Sequence, residues 1–410
     1  MASVRVDVKP EILAWVATNA QSLTDKWRQQ LATWIAGEKQ PTVKQLQQMS
    51  RSAKVPFGYF FLDRVPQEDL PLLKYRTVAN ETLTQPSRDL IDVITDMETK
   101  QEWLRDYRQK QGFSQNRFNG AAQRVAGLSQ LTATQQAEEI LTLLELEPGW
   151  NEGPKSFDRF KQLRQHAEAA NLTVMLDGCV QGNSHRPLDE DEFRAFAMTD
   201  AYAPMIFINT QDGYRARLFS LVHELVHIWY GQSELFNFDF ESTTLVRNPV
   251  TEQRVNQISE AILFDQATFE RLWTASAGQK PTSRLKLVAG SLGTSPLSAG
   301  IRAVRLGLVT QATLDDLKQE LRADYQQYKQ RQRNQTGGPS LYQVRAAHID
   351  HAFVVDVARS AQAGDTSYPA AFALLGVRHG AGFDKLLAAI EGTGSHSGNG
   401  FSNELFNGFK

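Results

Sequence analysis

The sequence predicts an α+β fold that is mostly α-helical and contains one short sheet. Apolar residues recur at helical spacing through much of the 410-residue chain, as in "LIDVITDMETKQEWLRDY" (90–107). Two short apolar runs bounded by turn residues, "LTVMLDG" (172–178) and "APMIFIN" (203–209), predict strands. The long apolar segment "RLFSLVHELVHIWYG" (217–231) follows and predicts a buried helix. We therefore expect a small sheet beside this helix, flanked by helical N- and C-terminal domains.

The flanking regions are predicted from their own patterns. Pro10 can occupy the first position of an N-terminal helix. An amphipathic helix is predicted within "PTVKQLQQMSRSAKV" (41–55), and an extended connector in the proline-containing "VPQEDLPLLKYRT" (65–77). Helical spacing resumes over about 84–147 and again after residue 250. The Gly/Ser/Asn-rich end of the chain (393–410) is expected to be a flexible tail.

Composition excludes several classes of function. The net charge of −2 gives no general attraction to nucleic acid or to an anionic membrane. No apolar run approaches the length that spans a bilayer, and the N-terminus lacks a secretory pattern, so we expect a cytoplasmic location without membrane contact. Cys179 is the single cysteine, which fits a reducing compartment. A lone cysteine is more often a small buried residue than a nucleophile.

The pentapeptide "HELVH" (223–227) is the strongest chemical signal in the chain. Residues i and i+4 share one face of a helix, so His223 and His227 can direct their imidazoles at one point. Imidazole is a good zinc ligand. Glu224 lies beside that point and could accept a proton from a water molecule without binding the metal. The pattern predicts a metal-assisted hydrolase with Glu224 as the catalytic base.

The alternative interpretation is a helix that contains polar residues by chance. The apolar residues around the motif cover nearly the whole circumference of the helix, which is typical of a buried helix. Buried histidine and glutamate side chains cost free energy unless they are paired, and a metal ion would pair them. This argument favours the metal site.

A third ligand is expected on a downstream helix, in "TEQRVNQISEAIL" (251–263). Glu252 is the first choice, since it supplies a carboxylate oxygen. Asn256 lies one turn later and could hydrogen-bond a ligand histidine in the second coordination shell. The rival ligands rank lower, and they are Glu260, Asp239, Glu241 and His185. His185 is treated as a possible residue of the cleft, as is Tyr202.

These residues resemble the ImmA/IrrE family of metallopeptidases. The resemblance rests on "FRAFAMTDAYAPMIFINTQDGYRARLFSLVHELVHIWYG" (193–231) followed by "TEQRVNQISEAIL". It implies a small zincin-like (gluzincin-type) core in which His223, His227 and Glu252 bind Zn²⁺, Glu224 is catalytic and Asn256 supports the ligands. It also implies a bacterial protein, often encoded by a phage or mobile element.

The flanks are similar to the longer members of that family. "WIAGEKQPTVKQLQQMSRSAKVPFGYFFLDRVPQEDLPLLKYRT" (34–77) resembles their N-terminal helix-turn-helix segment of the Xre repressor type. The stretch between "ILAWVA" and "TWIAGEKQPT" is too short for a scaffold helix, a turn and a recognition helix. We therefore favour a degenerate module that docks on the peptidase or on a repressor partner, and autonomous sequence-specific DNA binding is the less favoured alternative.

The resemblance and the patterns together predict five regions. They are a helix-turn-helix-like domain (1–62), a connector with a helical segment (63–135), the metallopeptidase core (136–275), a helical C-terminal domain (276–392) and the tail (393–410).

Two functions are compatible with this organisation. The first is a zinc endopeptidase whose protein substrate, by resemblance, is a helix-turn-helix transcriptional repressor. The segment "PMIFIN" (204–209) is expected to be an exposed edge strand to which such a substrate could add. The second is a non-proteolytic regulator or toxin–antitoxin component that keeps the fold for binding. The complete set of His223, Glu224 and His227 favours the enzyme.

Overall fold

The computed structural model describes residues 4–20, 23–66, 86–153, 156–232, 234–236, 249–332 and 341–394. Most of the predicted connector (65–77) and of the predicted tail (393–410) lies outside these residues, as do Asp239 and Glu241. None of the described helices is both long and apolar enough to cross a bilayer.

The described residues form an α+β fold dominated by helices, as predicted. The helices are α1 (Pro10–Asn19), α2 (Asp25–Ile35), α3 (Val43–Ala53), α4 (Arg88–Lys110), α5 (Ala133–Leu143), α6 (Ser156–Ala169), α7 (Tyr214–Tyr230), α8 (Pro249–Leu263), α9 (Gln266–Ala275), α10 (Pro281–Ser291), α11 (Pro296–Arg305), α12 (Gln311–Gln332), α13 (Leu341–His348), α14 (His351–Gln362), α15 (Tyr368–Leu374) and α16 (Gly380–Gly394). Short 3₁₀ helices cover Phe57–Phe61, Ala121–Arg124, Leu128–Gln130 and Val180–Gly182. The strands are β1 (Thr173–Asp177), β2 (Ala195–Met198), β3 (Met205–Asn209) and β4 (Glu234–Phe236).

The four strands form one mixed sheet in the order β1-β3-β2-β4. Strand β3 pairs in parallel with β1 and antiparallel with β2, so it is a central strand. All five residues of β3 are buried. The expectation of an exposed edge strand at 204–209 is therefore wrong.

The error arose from β2, the strand that covers β3 on one side. Its sequence, "AFAM", is only four residues long and half alanine, a residue depleted in strands. Pairing with β3 and β4, together with burial of all four residues, fixes the extended conformation of this segment. Tertiary contacts overrode a weak local signal.

The sheet separates two hydrophobic cores. The side chains of Val174, Ile206 and Ile208 join the core that contains α7, while those of Met175, Met205 and Phe207 join the core that contains α4 and the C-terminal helices. This alternation is what a strand buried on both faces requires. As a result α7 packs directly on the sheet, and its orientation is fixed from that side.

The outer side of β1 is closed by side chains rather than by another strand. The amide N–H of Val174 donates to Asp350 Oδ2 (3.3 Å), and its carbonyl accepts from Arg164 Nη2 (3.1 Å). Arg164 also donates to the carbonyl oxygens of Ala347 (2.6 Å) and Ile349 (2.9 Å). The junction between α13 and α14 is thereby attached to this edge of the sheet.

The N-terminal helices form a separate small core. Leu46 and Phe60 are buried there with Trp34, and the rings of Trp15 and Tyr59 lie 5.6 Å apart. A capping box starts α3, because Thr42 Oγ1 accepts from the Gln45 N–H and Gln45 Oε1 accepts from the Thr42 N–H. Between α1 and α3 the described residues contain the single helix α2. Lys54 Nζ contacts Asp89 Oδ2 of α4 at 2.5 Å.

Candidate metal centre

Helix α7 is held in place over its whole second half. Every residue from Ser220 to Trp229 is buried, because the helix packs on the sheet and between α6 and α8. Gly231 ends the helix with a φ of 74°, a left-handed conformation that glycine adopts without strain. The polar side chains within this stretch are therefore buried and held in place by the neighbouring elements.

The two histidines of the motif meet as the i, i+4 spacing predicts. His223 and His227 are fully buried, and their Nε2 atoms lie 3.0 Å apart. The ring of Phe219 lies 6.1 Å from that of His223, on the opposite side from His227 along the helix. Phe219 lies at i−4 relative to His223, a spacing that places the two residues on one face of the helix.

Helix α8 brings a carboxylate to the same point. Glu252 Oε1 lies 3.3 Å from His227 Nε2, and Glu252 Oε2 lies 3.6 Å from His223 Nε2. In the part of the chain that the structure describes, these three side chains form the group of donor atoms that could hold a metal ion. Two of the three donors come from one helix and the third from its neighbour, so the packing of α7 against α8 determines the site.

The spacing of the donors fits a small metal ion. Bonds of about 2.0–2.1 Å in a tetrahedral site separate adjacent donor atoms by roughly 3.3–3.4 Å. The contacts between the three side chains, 3.0, 3.3 and 3.6 Å, bracket that value, and the two longer ones use different oxygens of Glu252. Two imidazoles and one carboxylate are also a donor set that leaves a fourth position open in catalytic sites.

The protonation of the site also suits metal binding. Burial, reinforced by the neighbouring His227, lowers the pKa of His223 to about 3. Burial alone would raise the pKa of Glu252. The hydrogen bond from His227 and the electrostatic effect of the two imidazoles outweigh burial and lower this pKa to about 2. At neutral pH, His223 is therefore neutral and Glu252 ionised, which are the forms that bind metals.

Glu224 is fully buried next to the first histidine. It is offset from His223 by about 100° around the helix, so it is beside the convergent donors and is not one of them. Its carboxylate belongs to the same buried stretch of α7 as the two histidines.

The structure places Glu252, and not Glu260, beside the two histidines. Glu260 is buried eight residues further along α8, where it forms ion pairs with Arg302 and Arg305 of α11. It has its own cations and is not among the convergent donors. Asn256 lies between the two glutamates on α8. Its side chain is within hydrogen-bonding reach of His223, and this hydrogen bond raises the pKa of the imidazole, against the larger effect of burial.

The two predicted cleft residues lie in segments that join the strands, and their role in a cleft stays a prediction. His185 is exposed in the segment between β1 and β2, where its N–H donates to Asn183 Oδ1 (3.1 Å). Tyr202 lies in the turn between β2 and β3, and its carbonyl accepts a hydrogen bond from Arg108 Nη1 (2.7 Å). Neither residue belongs to the group of convergent donors among the described side chains.

Comparison with known families finds a match for the middle of the chain. Residues 167–280 match the model of a peptidase family described as the IrrE N-terminal-like domain. The matched segment is a little over a quarter of the chain and includes all four strands, α7 and α8. The match supports a metallopeptidase type of function. No curated protein and no solved structure matches the chain.

Proposed function

We propose that the protein is a zinc-dependent endopeptidase. The observation that carries the proposal is the convergence of three donor side chains from two neighbouring helices, with contacts of 3.0–3.6 Å between them. In this proposal His223, His227 and Glu252 bind the metal, and Asn256 supports His223. The similarity of residues 167–280 to a peptidase family agrees with this assignment.

Glu224 is the proposed catalytic base. A bound zinc ion supplies a Lewis acid that acidifies water and polarises the scissile carbonyl. The Glu224 carboxylate accepts a proton from the attacking water and delivers it to the nitrogen of the leaving amine. Burial of Glu224 keeps bulk water away from this exchange, so the carboxylate is oriented by the packing of α7 before substrate arrives.

The proposed substrate is a protein that binds in an extended conformation. The outer side of β1 is closed by Arg164 and Asp350. Among the described strands, β4 lies at the other end of the sheet, and it follows directly on α7. We place substrate addition at β4 rather than at β3. Main-chain hydrogen bonds would supply affinity there. N-methylation of alternate amides in a substrate peptide should then raise KM, and an unchanged KM would contradict this placement.

The resemblance leads us to propose a helix-turn-helix transcriptional repressor as the protein that is cleaved. The test is co-expression of the chain with the repressor encoded beside its own gene, followed by mass spectrometry of the repressor. We expect a discrete cleavage product that disappears when a chelator is added to the purified pair. Release of the repressed gene without cleavage would favour a non-proteolytic regulator.

The metal itself is tested by elemental analysis. We expect one zinc ion per chain in the wild-type protein and loss of that zinc in His223→Ala. A full complement of zinc in the variant would show that the ion is held elsewhere. His185→Ala is the matched control, since it removes an exposed histidine outside the convergent group.

A further inference from the structure

Three helices meet at a polar network near the candidate metal centre. Tyr230 at the end of α7 donates from its hydroxyl to Gln136 Oε1 of α5 (2.8 Å). Arg254 of α8 donates from Nε to the same oxygen (3.3 Å) and from Nη2 to the carbonyl of Leu131. Gln136 is 2% exposed, and its Nε2 donates to the carbonyl of Leu128 (2.9 Å). One buried amide therefore connects α7 to α8.

The network lies on the same interface as the metal ligands. Tyr230 follows His223 and His227 at positions i+7 and i+3, so the three side chains share one face of α7. Arg254 is two residues after Glu252, so the two side chains leave α8 in different directions. Glu252 is directed at α7, while Arg254 reaches the α5 side of the helix.

Glu252 occupies the first turn of α8. A ligand in a first turn depends on whatever holds that end of the helix, because terminal turns fray most readily. Arg254 is the nearest described residue along α8 that anchors the helix to a different element through side-chain hydrogen bonds, and it does so at the buried Gln136. The network is thus placed to set the position of Glu252 relative to the two histidines.

We propose that Tyr230, Gln136 and Arg254 are positioning residues that hold the first turns of α8 ready for metal binding. They do not touch the donor atoms. They act by raising the fraction of metal-free molecules in which Glu252 already faces the histidines, and a ligand's apparent affinity scales with that fraction. The expected effect on zinc affinity rests on the proposed function, whereas the anchoring of α8 by this network does not.

The experiment compares Tyr230→Phe and Arg254→Met with wild type in the full-length, chelator-treated protein. Hydrogen exchange of the amides of residues 253–258 should accelerate in both variants. Zinc affinity, measured by competition with a chromophoric chelator, should fall about five-fold in Tyr230→Phe, which corresponds to the net contribution of about 1 kcal/mol of one hydrogen bond.

Arg284→Met is the matched control. Arg284 is also partly buried and donates to a helix-terminal carbonyl, that of Trp273, but it joins α10 to α9. This variant should lose thermal stability without a change in zinc affinity or in the exchange of 253–258. Unchanged exchange in Tyr230→Phe and Arg254→Met, or the same acceleration in Arg284→Met, would overturn the proposal. If wild type binds no zinc at all, the proposed function fails, and the exchange data still decide whether the network anchors α8.

Discussion

Glu252 and Glu260 lie about two turns apart on α8, and the comparison between them separates a chemical site from a structural one. Glu260 is buried against Arg302 and Arg305, which partly offset the effect of burial on its pKa. Burial still dominates, and the pKa of Glu260 is raised. Glu252 faces two buried imidazoles instead, and its pKa is lowered to about 2.

The difference lies in what completes each cluster. The Glu260 cluster contains a carboxylate and two permanent cations, so the chain itself supplies the countercharge of the buried carboxylate. The Glu252 cluster contains one anion and two imidazoles, of which His223 is neutral at neutral pH. A metal cation would complete it. Buried polar residues thus indicate a functional site when the chain itself does not supply the matching charge.

The largest expected effect tests whether the Glu252 cluster belongs to a reactive centre. Glu224→Gln keeps the shape of the side chain but removes the proton acceptor. Proteolysis should fall by a factor on the order of hundreds or more, as expected for loss of a general base, while zinc stays bound. Zinc analysis and a cleavage assay on the same preparation measure both. Full activity in this variant would exclude the proposed mechanism.

The second prediction applies one substitution to both glutamates. Glu252→Gln should weaken zinc binding on the order of a hundred-fold, because a charged ligand is lost. Glu260→Gln should leave zinc binding unchanged and alter the free energy of unfolding by about 1 kcal/mol, since Arg305 is partly exposed and can be solvated. Chelator competition and urea unfolding of each variant provide the two measurements. Equal loss of zinc in both would remove the distinction between the clusters.

The third prediction concerns the pH dependence of the metal-free protein. The pKa of His223 is lowered from 6.5 to about 3, so the unfolded chain binds more protons than the folded one between these values. Stability should therefore fall as the pH drops from about 6.5 to about 3, and the lowered pKa of Glu252 adds to this below about 4.5.

Replacing His223 with phenylalanine should flatten this profile, because the residue that must be protonated while buried is gone. Urea unfolding of the chelated protein at several pH values measures the slope. His185→Phe changes an exposed histidine and should leave the slope as in wild type. A slope that survives in His223→Phe would assign the acid sensitivity to other groups.

The smallest expected effect concerns the N-terminal helices. Their described core is made of apolar side chains and contains no cluster like that of Glu252 or that of Glu260. We predict no sequence-selective DNA binding for residues 1–62 or for the full chain. A DNA-binding protein shows steep salt dependence that follows from phosphate contacts. Nanomolar, operator-selective binding in a gel-shift titration at physiological salt would contradict the prediction and favour a transcription factor.

The sequence by itself determined the histidine pair. The i, i+4 spacing of His223 and His227 within an apolar run dictated both their convergence and their burial, because helix periodicity is a local property. The same holds for the start of α1 at Pro10 and for the Thr42 capping box of α3, which depend on neighbouring residues alone.

Only the tertiary structure decided which acid joins the histidines and where the sheet ends. Glu252 and Glu260 are both acidic residues of one amphipathic helix, and the arginines of α11 that separate their roles lie more than forty residues away in the chain. The strand "AFAM" formed because β3 and β4 paired with it, and this placed "PMIFIN" in the middle of the sheet. Pairing between distant segments leaves no periodic trace in a sequence, because it depends on which surfaces meet after the helices and strands have formed.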